Sequence, residues 1–310
     1  MTTFNLTEPA RLNFAMLSLE GLCVGDCFGQ RFFIPGSDRL LPRRQSPPGP
    51  WSYTDDTAMA VSVVRVLREH GEIEQDRLAG LFADEYGRHP HRGYGAGAHG
   101  LLQAVHHGAR WQDAAPAMFS GTGSMGNGGA MRVAPVGAYF SDDLDRVAEQ
   151  AALSAEVTHA HPEGQAGAVA VAVAAALAMR VNRGNVPNDT ALLFDCVLEH
   201  TPDGPMRTRL KQATVLPASM QLDRVAGTLG NGSGIIAMDT VPFTLWCAFH
   251  YLDNYREALW TCVRAGGDVD TTCAIVGGIV ALATGRGGIP QVWRDASEPL
   301  PIGNGEDEEQ

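Results

Sequence analysis

The sequence lacks a surplus of positive charge. Its 310 residues include 23 Lys and Arg against 35 Asp and Glu, which gives a formal net charge of −12. General binding to nucleic acid and to anionic membranes depends on clustered cations, so neither is an expected partner of this chain. Charged residues make up 19% and apolar residues 45% of the sequence, and this balance is typical of a globular protein.

The sequence also lacks the patterns of export, membrane insertion and disulfide bonding. No basic segment followed by an apolar one opens the chain, so we predict no signal peptide. The longest uninterrupted apolar run is Gly167–Met179, which is too short to span a bilayer and predicts a buried core helix. None of the six cysteines forms a CxxC pair. We therefore predict reduced, buried thiols and a cytoplasmic protein.

Helical periodicity dominates the chain, whereas paired strands and a βαβ rhythm are missing. The alternating segment Ala168–Val173 resembles a strand, but its alanine content favours a helix. The pattern predicts one all-α domain over residues 1–302 and a disordered acidic tail at 303–310. The predicted helices are Arg11–Gly29, Thr57–His70, Gln75–Tyr86, Ala98–His107, Leu144–Thr158, Gly164–Arg180, Ala191–Glu199, Met206–Pro217, Pro242–Leu252, Tyr255–Arg264 and Thr271–Ala283.

Two features near the N-terminus stand out from this helical pattern. Gly21, Gly25 and Gly29 recur every four residues, and they predict a smooth helix face that another backbone approaches closely. Gln30–Tyr53 is rich in proline and predicts a long irregular loop. The same loop carries a basic island, for which a solvated loop is favoured over a cover that meets an anionic ligand: Arg31, Arg39, Arg43 and Arg44.

Acidic clusters open two of the predicted helices. The first is Thr54-Asp55-Asp56-Thr57, and the second is Gly266-Gly267-Asp268-Val269-Asp270-Thr271. Aspartate at a helix start is commonly a simple cap for free backbone amides. Carboxylates and threonine hydroxyls are also the hard oxygen ligands that Mg²⁺ prefers. Because four carboxylates brought together would repel one another, convergence of the two clusters predicts a bound cation.

A glycine-rich segment, Gly121–Arg132, offers exposed backbone amides that suit phosphate oxygens, although a flexible turn explains it equally well. It is neither a Walker loop nor a dinucleotide fingerprint. Thr158-His159 places an imidazole that either contacts a ligand or caps the preceding helix. A second glycine loop, Leu229–Gly234, is a weaker signal by itself.

The order of these motifs resembles the ADP-ribosylglycohydrolase family, of the dinitrogenase-reductase-activating glycohydrolase type. The matching motifs are Gly25-Asp26-Cys27-Phe28-Gly29, Thr54–Met59, Gly126–Arg132, Thr158-His159 and Gly266–Thr271, and together they span residues 14 to about 285. The resemblance implies a single-domain orthogonal helical bundle with a metal-binding cleft. It implies two Mg²⁺ ions, with Mn²⁺ as a possible substitute, held by Thr54, Asp55, Asp56, Asp268, Asp270 and Thr271.

By the same resemblance, ADP-ribose contacts Ser124, Gly126, Asn127, Gly128 and His159. The implied activity is Mg²⁺-dependent hydrolysis of the glycosidic bond to ADP-ribose on a modified protein side chain or small acceptor. The transition state of such a reaction has oxocarbenium character. Asp55 or Asp56 is the candidate to take a proton from the attacking water, and the sequence does not choose between them. The oligomeric state is also left open.

One position departs from the family pattern. Many members carry a glutamate four residues after the glycine that ends the GDxxG motif, and here Phe33 stands in that place. Phenylalanine can neither hold a metal nor move a proton. The alternative function is therefore a non-catalytic or nearly inactive ADP-ribose-binding protein of the same fold.

Overall fold

Residues 5–302 are described by a computed structural model, and every regular element within that range is helical. The acidic tail predicted at 303–310 lies outside the described residues. The α-helices of residues 5–302 are α1 Glu8–Gln30, α2 Asp55–His70, α3 Gln75–Arg88, α4 Ala96–His106, α5 Trp111–Gly121, α6 Gly128–Met131, α7 Ala134–Tyr139, α8 Leu144–Glu156, α9 Pro162–Asn182, α10 Thr190–His200, α11 Pro205–Thr214, α12 Leu222–Leu229, α13 Ala237–His250, α14 Tyr255–Ala265, α15 Val269–Thr284 and α16 Gln291–Ala296.

The all-α prediction is confirmed, and the alternating segment Ala168–Val173 lies inside α9. Several predicted boundaries were wrong. Helix α13 begins at Ala237, because the helix accommodates Pro242 in its second turn at the loss of one backbone hydrogen bond. Helix α11 ends at Thr214, short of Pro217. The helices that periodicity missed are mostly short, namely α5, α6, α7, α12 and α16.

Helix α9 forms the centre of the bundle. It packs against α7, α8, α13 and α15, and its residues from Ala166 to Met179 are all buried. Among the helices of residues 5–302, α9 is the one long and apolar enough to cross a membrane, but 89% of its most apolar stretch is buried within the protein. All six cysteines are also buried and none forms a disulfide, as predicted.

The packing of α1 against α15 confirms the role predicted for the glycine stripe. A β-carbon on Gly21 would lie 2.5 Å from the carbonyl oxygen of Gly277, and one on Gly25 would lie 2.2 Å from that of Cys273. One on Gly29 would lie 2.3 Å from the carbonyl oxygen of Val269. Real β-carbons do not approach so closely, so any larger residue here would push the helices apart. The antiparallel contact places the end of α1 beside the acidic start of α15.

The segment between α1 and α2 is more ordered than predicted. It contains two short 3-10 helices, Arg31–Phe33 and Ser37–Leu40. Arg44 forms a two-pronged ion pair with Glu257, at 2.5 and 2.7 Å. Near the end of the segment Trp51 packs among Phe28 and Trp293, which stack with ring centroids 4.2 Å apart. These contacts fix the chain where it enters α2.

Candidate active site

A cavity of about 590 Å³ lies at the meeting point of the two acidic helix starts. One wall is formed by the first turns of α2 and α15. The glycine-rich loop at residues 122–128 and His159 form another part of the wall, and residues from 93–98 and 234–236 also line the cavity. Its volume is in the range of pockets that take small-molecule ligands.

The two acidic clusters converge at one end of this cavity. Asp26, Asp56 and Asp270 each place a carboxylate oxygen within 4.8 Å of the other two. The Thr271 hydroxyl donates to Asp56 Oδ2 at 3.5 Å. The clusters are therefore brought together across the whole length of the sequence, although α2 and α15 are far apart along the chain.

Asp26 holds the start of α2 in place. Its Oδ2 accepts the backbone amides of Thr54 and Thr57, at 2.9 and 3.2 Å, and the Thr57 hydroxyl at 2.6 Å. Its Oδ1 accepts the Thr54 hydroxyl at 2.9 Å. The side chain is fully buried. Asp26 thus fills the acceptor positions that a capping residue usually supplies, and it leaves the carboxylates of α2 free to face the cavity.

The acidic cluster is electrostatically strained without a counter-charge. Burial, followed by repulsion from Asp26, raises the pKa of Asp55 to about 7. Burial raises the pKa of Asp26 to about 6 against the hydrogen bonds that lower it. Burial and neighbouring carboxylates also raise the pKa values of Asp56 and Asp270 well above the usual range. Anions gathered in this way favour a shared proton or a cation.

The donor set fits a divalent cation of the hard type. Asp56 Oδ1 is buried and has no hydrogen-bond partner within residues 5–302, which is an expensive state for a carboxylate oxygen unless a ligand occupies it. The cluster of described residues consists of the carboxylates of Asp26, Asp56 and Asp270, and no sulfur or imidazole ligand belongs to it. Such oxygen ligands suit Mg²⁺ or Mn²⁺ better than zinc.

Asp268 is held from two sides. Asn127 Nδ2 donates to Asp268 Oδ2 at 2.7 Å and to the Thr240 hydroxyl at 3.1 Å. Asp268 precedes α15 but makes no side-chain cap there, so the simple capping interpretation fails for this residue. A β-carbon on Gly232 would come within 2.6 Å of Asp268 Cβ, which explains the second glycine loop as a packing surface.

The glycine-rich loop packs directly on His159. A β-carbon on Gly126 or Gly128 would lie 3.2 or 3.1 Å from His159 Nε2. The amide of Gly126 donates to the Ser124 hydroxyl at 3.1 Å, and the amide of Asn127 donates to the carbonyl of Ile235 at 3.4 Å. Two of the loop amides predicted to bind phosphate are therefore already engaged within the protein.

The structure brings nearly all the predicted site residues to the cavity. Ten of them line it, namely Asp55, Asp56, Ser124, Gly126, Asn127, Gly128, His159, Asp268, Asp270 and Thr271. Thr54 lies behind the wall, where its hydroxyl is within hydrogen-bond distance of the carboxylates of Asp26 and Asp56, at 2.9 and 3.0 Å. The imidazole of His159 contacts the Thr158 hydroxyl and does not cap the preceding helix, although the His159 backbone amide donates to the carbonyl of Ala155 at 2.8 Å. A capping role belongs instead to His161, whose Nδ1 accepts the amide of Glu163.

The basic loop does not cover this cavity. Among the described residues, none between 30 and 53 lines it. Phe33 is 52% exposed and Arg44 is committed to Glu257, so the interpretation as a ligand cover finds no support. Position 33, where the family pattern has its glutamate, therefore lies outside the cavity wall.

Sequence reasoning missed two buried charged residues. The sequence marks Asp26 as part of the GDxxG motif and as a candidate to replace the missing acid, but its contacts with the start of α2 join residues with no local pattern in common. Arg132 was noted only as the last residue of the glycine-rich segment. It is fully buried beside His159, and its guanidinium lies 4.4 Å from the centre of the Phe82 ring. A charged residue at the end of an apolar, glycine-rich run was the available signal.

Comparison with known proteins identifies the family to which this all-α bundle with an acidic cavity belongs. The sequence matches the family described as ADP-ribosylglycohydrolase over residues 7–307, and the chain belongs to that family. It is 32% identical to ADP-ribosylhydrolase ARH3 of Gallus gallus, with 94% of this chain and 89% of that protein covered.

Two further comparisons agree with this assignment. The chain is 24% identical to the ADP-ribosyl-[dinitrogen reductase] glycohydrolase of Rhodospirillum rubrum, with 93% and 91% covered. A solved structure titled ADP-ribosylglycohydrolase-related protein complex has a TM-score of 0.66 at 22% identity and covers 94% of each chain. This last likeness supports the fold.

Proposed function

We propose that this protein is a Mg²⁺-dependent hydrolase that removes ADP-ribose from a modified protein side chain or small acceptor by cleaving a glycosidic bond. The observation that carries the proposal is the partnerless Asp56 Oδ1 at the acidic end of a ligand-sized cavity. Membership of the family supplies the substrate class. The residues that would hold the cation are Thr54, Asp55, Asp56, Asp268, Asp270 and Thr271.

When bound, Mg²⁺ would stabilise the charge that develops as the glycosidic bond breaks. The chain's own residues divide the remaining work. The glycine-rich loop and His159 would bind the diphosphate. The carboxylates would orient the ribose end and exclude bulk water.

Asp55 is the better candidate of the two to accept a proton from the attacking water. Asp56 Oδ2 lies within hydrogen-bond distance of the hydroxyls of Thr54 and Thr271, at 3.0 and 3.5 Å. The Asp55 carboxylate lines the cavity, where it can reach a water beside the bound ligand. Loss of a general base typically lowers a rate by about 10² to 10⁴.

The test combines binding with turnover. Calorimetry with ADP-ribose, with Mg²⁺ and with a chelator, measures whether binding depends on the cation. Release of ADP-ribose from Arg-linked and Ser-linked substrates then measures the reaction and identifies the linkage. We expect Asp55→Asn to lose turnover at least a hundredfold, about the lower range for a general base. Asp145→Asn, at a side chain that is 98% exposed, is the matched control.

A second candidate function is ADP-ribose binding without turnover. It is favoured by Phe33, because no glutamate stands at that position and the position lies outside the cavity wall. Mg²⁺-dependent binding of ADP-ribose together with no cleavage of either substrate would support this second function. Cleavage that Asp55→Asn abolishes would exclude it.

A further inference from the structure

A chain of three polar side chains runs behind the glycine-rich loop. Arg132 Nη2 donates to the Thr158 hydroxyl at 2.8 Å, and that hydroxyl lies 2.7 Å from His159 Nδ1. Arg132 also donates to the carbonyls of Gly128 and Ser154, at 3.1 and 2.8 Å. Within residues 5–302 none of its hydrogen bonds goes to a carboxylate.

The direction of each hydrogen bond follows from counting protons. A guanidinium can only donate, so the Thr158 oxygen is an acceptor toward Arg132. Thr158 has one hydroxyl proton, and two acceptors compete for it: His159 Nδ1 at 2.7 Å and the carbonyl of Ala155 at 3.4 Å. A separation of 2.7 Å is typical of O–H donation, whereas the contact with Ala155 at 3.4 Å is weak. Donation from the Arg132 cation to the Thr158 oxygen also makes that hydroxyl a stronger donor toward Nδ1. Nδ1 is therefore an acceptor, and a neutral imidazole must carry its proton on Nε2.

The surroundings keep this imidazole neutral. Burial, and then the charge of Arg132, lower the pKa of His159 to about 3. Arg132 itself stays charged, since burial lowers its pKa only to about 9. Near neutral pH the pair therefore consists of one cation and one uncharged ring.

The protonated edge of the ring lies at the cavity. His159 lines the cavity wall, and its Nε2 is close to the backbone of Gly126 and Gly128, where even a β-carbon would lie within 3.2 Å. The absence of side chains on these glycines leaves Nε2 accessible to a ligand.

We propose that Arg132 and Thr158 are positioning residues that lock His159 in the neutral, Nε2-protonated tautomer, so that it acts only as a hydrogen-bond donor to an oxygen of the bound ligand. This inference rests on the proposed function, in which that oxygen belongs to the diphosphate of ADP-ribose. It assigns His159 to binding and excludes it as a general base, because Nε2 holds a proton and Nδ1 is occupied by Thr158.

The tautomer is read directly by long-range proton–nitrogen NMR of protein labelled with ¹⁵N-histidine. The signal that disappears in His159→Gln identifies this residue among the ten histidines. In the ligand-free wild-type protein we expect a protonated Nε2 and an unprotonated Nδ1. A protonated Nδ1 would overturn the inference whatever the protein binds.

Two variants of Thr158 isolate the hydroxyl. Thr158→Ser keeps it and should preserve both the tautomer and the affinity for ADP-ribose measured with saturating Mg²⁺. Thr158→Val removes it with little change of shape, and it should mix the tautomers and weaken ADP-ribose binding about tenfold, the effect of one lost hydrogen bond to a charged group. If Thr158→Ser and Thr158→Val show the same affinity for ADP-ribose and the same His159 tautomer, the positioning role of Thr158 is refuted.

Arg132 is tested in the same spectrum. Arg132→Lys retains a donor-only cation and should preserve the tautomer, whereas Arg132→Met should not. If Arg132→Met fails to fold, the Thr158 pair decides the question. A wild-type protein that shows the Nε2 tautomer but does not bind ADP-ribose would refute the proposed function and leave the locked tautomer standing, so the two failures are distinguishable.

Discussion

Neutralising Asp270 should have opposite effects on the metal-free and the metal-loaded protein. In the absence of metal, an oxygen of Asp270 lies within 4.8 Å of oxygens of Asp26 and Asp56. Two unit charges at that separation repel by about 3–4 kcal/mol at an effective dielectric constant of about 20. The Asp270 carboxylate accepts one hydrogen bond, from the amide of Thr271 at 2.8 Å, and an asparagine oxygen can keep it.

We therefore expect Asp270→Asn to stabilise the metal-free protein by about 1–3 kcal/mol, since part of the repulsion is already relieved by protonation. For a protein of this size that corresponds to a rise in melting temperature of about 2–6 °C. Mg²⁺ at a hundred times its Kd stabilises a protein by about 2.7 kcal/mol. If loss of one ligand weakens binding a hundredfold, only about 0.4 kcal/mol of that stabilisation remains.

The assay is thermal unfolding of wild type and variant in a chelator and in Mg²⁺. Asp145→Asn removes the same charge at an exposed side chain and should leave both melting temperatures unchanged. Full retention of the Mg²⁺-induced shift in Asp270→Asn would show that Asp270 is not a ligand. A lower melting temperature in the chelator would show that its carboxylate supports the fold and is not strained.

Three further outcomes follow from the same geometry. Gly128→Val should weaken ADP-ribose binding in calorimetry without unfolding the protein, because its side chain would displace His159; unchanged affinity would place the diphosphate elsewhere. Phe33→Glu should leave the rate on Arg-linked substrate unchanged, since that position lies outside the cavity wall, and a tenfold rise would show that the loop reaches the substrate. The pKa values of Asp26 and Asp55 are raised to about 6 and about 7, so the folded protein binds more protons than the unfolded chain between about pH 4 and 7. The contribution of these two groups to the free energy of unfolding therefore falls as pH rises through that window. His159 contributes in the opposite sense, because its pKa is lowered. The diagnostic measurement is therefore the rise in melting temperature that Mg²⁺ induces, which should grow from pH 5 to pH 8. A rise that shrinks over this range would contradict the assignment of the cation site.

Sequence patterns predicted the features of this protein that depend on residues close together in the chain. Apolar periodicity located the long helices, and the four-residue spacing of Gly21, Gly25 and Gly29 predicted a close helix contact that the structure confirms. The short helices were missed because four to eight residues carry too few periods to stand out. The boundary error at Pro242 arose because proline is favoured in the first turn of a helix but is also tolerated one turn later when packing compensates.

The site could be predicted as a set of residues but not as an arrangement. Acidic helix starts and a glycine-rich loop are visible in the sequence, and a family resemblance connects them. The contacts that set their geometry join distant residues of unlike type. Asn127 restrains Asp268 and Asp26 restrains Thr54 and Thr57, and no periodicity or spacing links either set. Such contacts are decided by the tertiary fold.

The close contact between α1 and α15 also sets when the site can form during synthesis. Helix α1 carries Asp26 and the start of helix α15 carries Asp270, and the ribosome synthesises the first long before the second. An emerging chain therefore exposes the glycine face of α1 without the helix that covers it. A metal site that needs both carboxylates can form only after Asp270 has left the ribosome. We expect the buried surface of α1 to be a point at which the nascent chain depends on protection from aggregation.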